Sequence, residues 1–376
     1  MSIAALLRAR NEALKSGRDG FGIRGQPFKE RPGAMAGNKR YASSVDVAIL
    51  AGVSQSAVSR TYKPGASVSK ETRRKVLDAA EQLGYRPSLI PRIMLTHRSY
   101  LVAIVIGGMF NPINSVVLEN FTIKLQEIGH QVLLVHAATG RSLDEIIPRL
   151  ASYRVDAIFI ARAILSPEAA DEFAKYEIPI ISFNTPSKNR WVSSVCSDHL
   201  AGAQAVADLF VERGAKRCAY ISSPVAAFGN EERMQGFADR LREHGFKPPK
   251  VVETEFCYEG GLRAALHLIE GANAPDAIFC FNDLVAIGVL DAIRKTLRLR
   301  VPEDILVAGF DNIPAAAWVA YDLTTLVQDS PSMVEASLAI LRSATASSLP
   351  IGGVRTTVPV RLVERGTTRR NPPPFP

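Results

Sequence analysis

Four hydrogen-bonding side chains, Gln55, Ser56, Ser59 and Arg60, fall within the segment DVAILAGVSQSAVSR at residues 46–60. A glutamine can pair with the edge of adenine, and an arginine can pair with the edge of guanine through two parallel hydrogen bonds. On a short helix, such side chains would suit the major groove of DNA. The same pattern fits a small helical bundle with a polar outer face, so the segment taken by itself leaves both interpretations open.

Three short helices are predicted to position these side chains. The first has Ser43 or Ser44 as its N-cap and ends at Gly52, where we expect a side chain to clash in the turn. The second covers about residues 54–62, and the third begins after Ser69. Apolar residues of the first two helices would form a small core, which leaves the polar side chains of the second helix on the outside.

The charge of the chain is concentrated at its front. Residues 1–100 hold 18 Lys and Arg against 7 Asp and Glu, a balance of +11 within a total of +8. The rest of the chain therefore has a balance of −3. A basic front ahead of a nearly neutral body indicates a module that binds a polyanion, although a merely soluble basic tail has the same charge.

The motifs of common enzymes are missing from the sequence. The glycine pair at residues 107–108, after the first apolar run, is not a GxGxxG fingerprint, and the sequence contains no GxxxxGK[ST], no GxSxG and no HExxH. The cysteines at 196, 218, 257 and 280 have no CxxC spacing, which is typical of reduced thiols in a cytoplasmic protein. We therefore predict no enzyme activity, no metal and no cofactor, and we expect a cytoplasmic protein because neither a secretion signal nor an apolar run of membrane-spanning length is found.

From Leu101 onward, apolar runs alternate with segments of helical periodicity. The runs read LVAIVI, QVLLV, VDAIFI, IPIISF, RCAYIS, VVETEF, PDAIFCF and DILVAGF. Helices are predicted near 114–128, 142–153, 166–176, 230–245, 259–270 and 284–297. Short apolar strands between helices indicate buried parallel strands in α/β layers. The number of such units, with the echo of VDAIFIA in PDAIFCF, favours two similar lobes over one long sheet.

Two spaced motifs resemble the lactose-repressor/galactose-repressor (LacI/GalR) family of bacterial regulators. They are DVAxxAGVSxxxVSR, at residues 46–60, and VSxETRxxVxxAAExLGYRP, at residues 68–87. The resemblance continues through residues 101–366. It implies an all-α helix-turn-helix headpiece followed by an α/β body that is periplasmic-binding-protein-like, with two lobes and parallel sheets.

The resemblance also implies a division of the chain. We expect a disordered extension at 1–40, the headpiece at 41–86, a hinge at 87–100, the effector-binding and dimerisation body at 101–366, and a flexible tail at 367–376. Within the body, the N-lobe is predicted at about 101–196 and 328–356, and the C-lobe at about 197–326 and 357–366.

Positions that match the family's DNA contacts follow residue by residue. Gln55, Ser56 and Arg60 would read bases, and three serines would contact phosphates or cap helices: Ser43, Ser59 and Ser69. Lys63 stands where the family usually has asparagine, so attraction to phosphate would replace a more specific contact.

In the family, a hinge helix inserts an apolar side chain into the minor groove. Met94 occupies that position here, and methionine is an accepted residue for insertion between base pairs. Arg92 is a further expected DNA contact. Pro91, where the family usually has alanine, suits only the first residue of a helix, so the hinge helix would start late. The alternative is a plain linker with Met94 packed against the body.

Segments that resemble the family's cleft-lining motifs supply the expected effector contacts. Arg233 would grip a carboxylate or paired hydroxyls, Asn282 would face the ligand, and Asp283 would cap the next helix. The remaining candidates are Phe110, Asn184, Tyr258, Asp311 and Gln328. Such a site suits a polar small molecule, and the resemblance ranks sugars and sugar acids first.

The function implied by the resemblance is a repressor that binds double-stranded DNA at a near-palindromic operator as a homodimer. Binding of the effector would change its affinity for the operator, and the effector could either weaken or strengthen DNA binding. Two other classes share features with the chain. A periplasmic binding protein has the same body fold but no DNA-binding segment, and an enzyme would need a catalytic motif that is missing here. No membrane partner is predicted.

Overall fold

The computed structural model of the chain describes residues 42–63, 65–88, 93, 98–107, 111–137, 146–161, 165–187, 189–223, 229–270, 273–346 and 353–369. These residues form two compact units that divide after Ser88. The predictions for the extension at 1–40, for Arg92 and Met94 in the hinge, and for Phe110 concern residues outside those ranges.

The first unit contains three helices, α1 (Ser44–Ala51), α2 (Gln55–Tyr62) and α3 (Lys70–Gln82). They enclose a core of small and branched side chains: Val47, Ala48, Val58, Val76, Ala79 and Ala80. Because the core is small, it orients α2 through only one face. The opposite face of α2 remains exposed.

Each of these helices begins at a serine whose side chain accepts a hydrogen bond from a backbone N–H of the first turn. Ser43 caps α1 in a reciprocal pair with Asp46, Ser54 caps α2, and Ser69 caps α3. Such a cap satisfies one of the N–H groups that a helix leaves without an internal partner.

Gly52 ends α1, but the reason predicted from the sequence is wrong. A Cβ added at Gly52 would meet no atom within 4 Å, so no side chain would clash in the turn. The backbone instead has a φ of +64°, a left-handed conformation that glycine adopts without the steric cost of a Cβ.

The second unit is built from alternating strands and helices. Its strands are β1 (Leu101–Gly107), β2 (Gln131–Ala137), β3 (Ala157–Ala161), β4 (Ile180–Phe183), β5 (Val192–Ser197), β6 (Cys218–Ser222), β7 (Lys250–Glu253), β8 (Ala277–Cys280), β9 (Leu306–Ala308), β10 (Thr325–Gln328), β11 (Arg355–Val358) and β12 (Val360–Val363). Its helices are α4 (Ile113–Glu127), α5 (Ile147–Ser152), α6 (Pro167–Lys175), α7 (His199–Glu212), α8 (Asn230–Glu243), α9 (Tyr258–Ile269), α10 (Asp283–Asp291) and α11 (Ser330–Ala346).

Two parallel sheets define two lobes. The N-lobe sheet has the order β11-β5-β4-β3-β1-β2, and the C-lobe sheet has the order β7-β6-β8-β9. Apolar clusters pack against both faces of the N-lobe sheet, and one large cluster fills the C-lobe. Parallel strands buried by helices on their faces explain the continuous apolar runs in the sequence.

The chain passes between the lobes three times. It does so from β5 to α7, from β10 to α11, and from β11 to β12, where β10 and β12 pair antiparallel. The Asp198 N–H donates to the carbonyl of Val358 at 2.8 Å, which joins the first and third crossings. The Ser197 hydroxyl donates to Gln328 at 2.9 Å, which joins the first and second. Hydrogen bonds thus join the three crossings, which we call the interlobe hinge to distinguish them from the predicted hinge at 87–100.

Some predicted boundaries differ from the structure. Strand β5 was missed because its serines, although buried, interrupt the apolar pattern. The predicted helix near 284–297 is α10 continued by a π-helical turn, Ala292–Thr296. The predicted flexible tail begins too early, because Thr367 and Thr368 are fully buried and bonded to Thr324.

Within the described ranges, no helix has the length and apolar character needed to cross a membrane. In the same part of the chain, no group of three or more His, Cys, Asp or Glu side chains is arranged to hold a metal ion.

Candidate functional sites

The outer face of α2 presents the four polar side chains singled out from the sequence. Gln55, Ser56, Ser59 and Arg60 are all exposed, whereas the opposite face of the helix is buried. The Gln55 amide donates to the Ser44 hydroxyl at 2.9 Å, and the Arg60 Nε donates to the Ser56 carbonyl at 3.3 Å. These bonds orient both side chains and leave the terminal nitrogens of Arg60 without a protein partner among the residues the structure describes.

Three further predicted contacts lie at the ends of helices in the same unit. Ser43 and Ser69 are exposed N-caps, and Lys63 is an exposed residue at the C-terminus of α2. Helix N-termini and lysine side chains are both suited to bind phosphate oxygens. The structure therefore gives this unit donors for phosphates around the polar face of α2.

A cleft lies between the lobes of the second unit. Its walls come from the carboxyl ends of strands in both sheets, where open α/β sheets generally bind ligands. Ile106, Ala161 and Asn184 contribute from the N-lobe, and Phe281 and Asp311 contribute from the C-lobe.

A chain of hydrogen bonds joins the two lobes across the cleft. The Asn111 amide donates to one oxygen of Asp311 at 2.6 Å, and the Gln328 amide donates to the other at 2.5 Å. The Gln328 carbonyl oxygen accepts from the Asn184 amide at 2.5 Å and from the Ser197 hydroxyl at 2.9 Å. Three of the predicted effector contacts, Asn184, Asp311 and Gln328, are thus brought together in one network.

The backbone at two members of this network is unusual. Asn184 has a φ of +56°, and Asp311 has a φ of +123°. Residues other than glycine rarely adopt positive φ, and such conformations concentrate at functional sites. Here both residues follow a strand and point their side chains into the network, as their hydrogen bonds show.

Arg233, the fourth predicted contact that lines the cleft, is 5% exposed. Its guanidinium carbon lies 3.5 Å from the centre of the Phe310 ring. Its Nε donates to His199 at 3.2 Å, and its Nη1 donates to the carbonyl of Phe281. Burial lowers the pKa of the guanidinium, and the nearby Asp311 opposes that change. The Nη2 nitrogen has no hydrogen-bond partner among the described residues, so it is available to a ligand.

Aromatic and apolar side chains complete the walls of the cleft. Phe183 and Met333 lie on the N-lobe side, and Phe256 and Phe281 lie on the C-lobe side with their ring centres 4.9 Å apart. Apolar walls with a few converging polar groups are typical of sites for small molecules. This arrangement can bind a ligand that has both a flat or apolar face and several hydrogen-bonding groups.

Two predicted effector contacts lie elsewhere in the structure. Asn282 is fully buried and is the N-cap of α10, where its side chain accepts from the N–H of Val285. The predicted roles of Asn282 and Asp283 were therefore wrong, because Asp283 accepts from Thr325 and does not cap the helix. Tyr258 donates to Asp291 at 2.7 Å and does not line the cleft.

Sequence reasoning missed Asn111 and His199. Asn111 directly follows Phe110, which was a candidate, and it reaches Asp311, so its position next to a candidate was the available signal. His199 follows the unrecognised strand β5, so nothing in the sequence placed it against Arg233. That contact joins residues 34 positions apart and depends on how α7 and α8 begin.

Comparisons with known protein families match both units. Residues 45–88 match the family described as bacterial regulatory proteins, lacI family, and residues 207–368 match the periplasmic binding protein-like domain. The transcriptional repressor CytR of Escherichia coli K12 is 26% identical over 88% of this chain and 97% of its own length. The transcriptional regulator CelR of Thermobifida fusca is 28% identical over 84% of this chain and 94% of its own length.

Solved structures agree on the fold. A lac repressor dimer bound to operator and the anti-inducer ONPF has a TM-score of 0.78 at 24% identity, covering 87% of this chain and 99% of that chain. The complex of the regulator CelR with cellobiose has a TM-score of 0.65 at 25% identity, with the same coverage.

A helix-turn-helix headpiece ahead of a periplasmic-binding-protein-like body defines a DNA-binding transcriptional regulator with an effector-binding domain, and not an enzyme. The headpiece thus matches the lacI family of bacterial regulatory proteins, and the chain as a whole is similar in sequence to transcriptional regulators and in fold to the lac repressor.

Proposed function

We propose that this protein is a homodimeric repressor whose affinity for a near-palindromic operator is set by a sugar or sugar acid bound between the lobes. The observation that carries the proposal is the network of Asn111, Asp311, Gln328 and Asn184, which ties both lobes to a crossing segment inside the cleft. A ligand that replaces these hydrogen bonds has different contacts with the open and closed lobes. Such differential contact is what a coupling free energy requires.

The chemistry of the cleft supports a polyhydroxylated ligand. Asp311 and the amides of Asn111, Asn184 and Gln328 can exchange their mutual hydrogen bonds for bonds to hydroxyl groups. The Nη2 of Arg233 adds a charged donor, which suits a carboxylate as well as a hydroxyl. Aromatic walls would cover the apolar face of a sugar ring. One relative of known structure, CelR, is solved as a complex with cellobiose, a sugar.

On the DNA side, we propose that Gln55, Ser56 and Arg60 read base edges. Ser43, Ser59, Lys63 and Ser69 would contact phosphates, as would Arg92, and Met94 would enter the minor groove. Two headpieces on two half-sites explain why a dimer and a near-palindrome are needed. The protein would act on the chromosome, in the cytoplasm.

The DNA assignment is tested by selecting bound sequences from a random duplex pool with full-length protein. We expect the wild type to select a near-palindromic consensus. Gln55→Ala and Arg60→Ala should each reduce the base preference at one symmetric pair of positions, because each side chain discriminates bases by about 1–3 kcal/mol. Gln82→Ala, at an exposed glutamine at the end of α3, is the matched control. An unchanged consensus in both headpiece variants would refute these base contacts.

The effector assignment is tested by a thermal-shift screen of sugars, sugar acids and nucleosides, followed by titration of each hit against operator DNA. We expect a sugar or sugar acid to raise the melting temperature of the wild type and to change operator affinity, which also shows the sign of regulation. Arg233→Gln should weaken that shift. A ligand that stabilises the protein without changing operator affinity would contradict the coupling.

A further inference from the structure

His199 lies where the interlobe hinge meets the cleft. It is the first residue of α7, directly after the crossing from β5, and it is fully buried. Its Nδ1 accepts a hydrogen bond from the Nε of Arg233 at 3.2 Å, and its ring centre lies 5.5 Å from that of Phe310. The other ring nitrogen, Nε2, is buried without a hydrogen-bond partner among the described residues.

The start of α8 is shaped to accommodate this ring. Gly229, the residue before the helix, has a φ of +74°, and a Cβ there would lie 2.0 Å from Cδ2 of His199. Any side chain at Gly229 would therefore occupy the space of the imidazole. The Gly229 carbonyl in turn accepts from the N–H of Arg233 at 3.0 Å. The ring, the glycine and the arginine thus fix one another at the first turn of α8.

Arg233 is held on three sides by groups that are not ligand. Phe310 lies against the face of the guanidinium, Phe281 accepts from Nη1, and His199 accepts from Nε. Only the contact with His199 comes from a crossing segment. Because the side chain of an arginine is long, these contacts decide where its free Nη2 is presented in the cleft.

The hydrogen bond also fixes the chemistry of His199. A nitrogen that accepts from an N–H has a free lone pair, so the imidazole is neutral with its proton on Nε2. Burial and the positive charges of Arg233 and Arg355 support this state, since both lower the pKa of His199. A protonated ring would lose the acceptor and would place a second positive charge beside Arg233.

We infer that His199 is the positioning residue that connects the effector-binding Arg233 to the hinge between the lobes. The inference rests on the proposed function and goes beyond it, because it assigns a route from the effector contact Arg233 to the interlobe hinge. His199 follows Ser197 and Asp198, whose hydrogen bonds join the first crossing to the other two. Movement of Arg233 toward a ligand is transmitted through His199 to all three crossings.

The first measurement reads the tautomer of His199 directly. Full-length protein labelled with ¹⁵N-histidine is examined at pH 7 by long-range ¹H–¹⁵N correlation, and the signal is assigned by its loss in His199→Asn. We expect an unprotonated Nδ1 and a protonated Nε2. A protonated Nδ1, or an average of both tautomers, would overturn the inference.

The second measurement follows hydrogen exchange of the crossing segments in four variants. His199→Leu removes the acceptor, and His199→Asn keeps an acceptor oxygen close to the position of Nδ1. We expect about tenfold faster exchange in His199→Leu, as for the loss of one buried hydrogen bond, and near wild-type exchange in His199→Asn. Exchange of the crossing segments should also be faster in Arg233→Gln than in the wild type. Adding His199→Leu to Arg233→Gln should change this exchange little, since the two residues act together.

His267→Leu, at an exposed histidine of α9, is the control and should leave the crossings unchanged. Equal exchange in His199→Leu and wild type, or additive effects of His199→Leu and Arg233→Gln, would contradict the inference. Both measurements are made without effector. They can therefore fail while a sugar still regulates operator binding, or succeed while every ligand in the screen fails to bind.

Discussion

At the scale of single residues, Asp283 shows how a buried carboxylate supports the cleft. It is fully buried and accepts from the N–H of Ile313 at 2.8 Å and from the Thr325 hydroxyl at 2.5 Å. The Asp283 N–H also donates to the carbonyl of Phe310 at 2.9 Å, so Asp283 holds the backbone on both sides of Asp311, at Phe310 and at Ile313. Burial, together with the neighbouring Asp311, raises the pKa of Asp283 to about 7.

The raised pKa predicts how stability depends on pH. Between the usual carboxyl pKa and about 7, the folded state of Asp283 binds more protons than the unfolded state, so the stability it contributes is lost as pH rises through this window. Asp283→Asn does not titrate. From pH 5 to pH 8, we expect the wild type to lose about 2 kcal/mol of unfolding free energy relative to Asp283→Asn.

Denaturant unfolding of full-length protein at each pH measures this difference. Asp329→Asn, at an exposed aspartate that caps the start of α11, is the control and should follow the wild type. Parallel curves for the wild type and Asp283→Asn would show that Asp283 is ionised in the folded protein throughout.

At the scale of elements, the serine caps decide how firmly the headpiece presents α2. The three caps replace tertiary packing that a core of six buried residues cannot supply. Ser69 accepts from the N–H of Thr72 at 3.1 Å, and it is also a proposed phosphate contact. Its two roles can be separated by substitution.

Ser69→Ala is expected to destabilise α3 by about 1 kcal/mol, and Ser69→Gly by only a few tenths, because glycine tolerates the cap position. Hydrogen exchange of the α3 amides measures this stability. If Ser69 also contacts a phosphate, both variants should weaken operator binding to a similar extent. If operator affinity instead falls more in Ser69→Ala than in Ser69→Gly, in parallel with the stability of α3, Ser69 has a capping role only.

At the scale of the whole effector-binding unit, polar contacts join the lobes in addition to the crossings. Asp311 accepts from Asn111 across the cleft, and Arg355 of β11 pairs with Glu232 of α8 at 2.7 Å. The ion pair is partly exposed, so it contributes little to stability. The Asp311 bonds are buried, so we expect them to restrain opening more than this ion pair does.

Asp311→Asn places an amide group opposite the amides of Asn111 and Gln328, so at least one donor loses its acceptor. We expect a loss of about 1–3 kcal/mol in stability and faster hydrogen exchange at residues lining the cleft. Asp329→Asn is again the matched control. Unchanged exchange at Asn111 and Asn184 would show that Asp311 does not restrain the lobes.

The sequence by itself determined the local and periodic features of this protein. Serine before an apolar run indicates a cap, and fully apolar runs of five or six residues indicate buried parallel strands. The headpiece helices and the parallel sheets of the body follow from such signals, whereas Arg233, Asp311 and Gln328 were expected in the cleft because of the resemblance to the family. Each of them depends on neighbours within a few residues.

Only the tertiary structure decided which polar side chains meet. Asn282 and Asp283 stand side by side after β8, and Asn282 caps α10 while Asp283 accepts from Thr325, 42 residues further on. Asn111 reaches Asp311 across 200 residues, and His199 reaches Arg233 across 34. Hydrogen bonds are short and directional, so a pairing of this kind is set by the approach of distant elements and leaves no periodic trace in the chain.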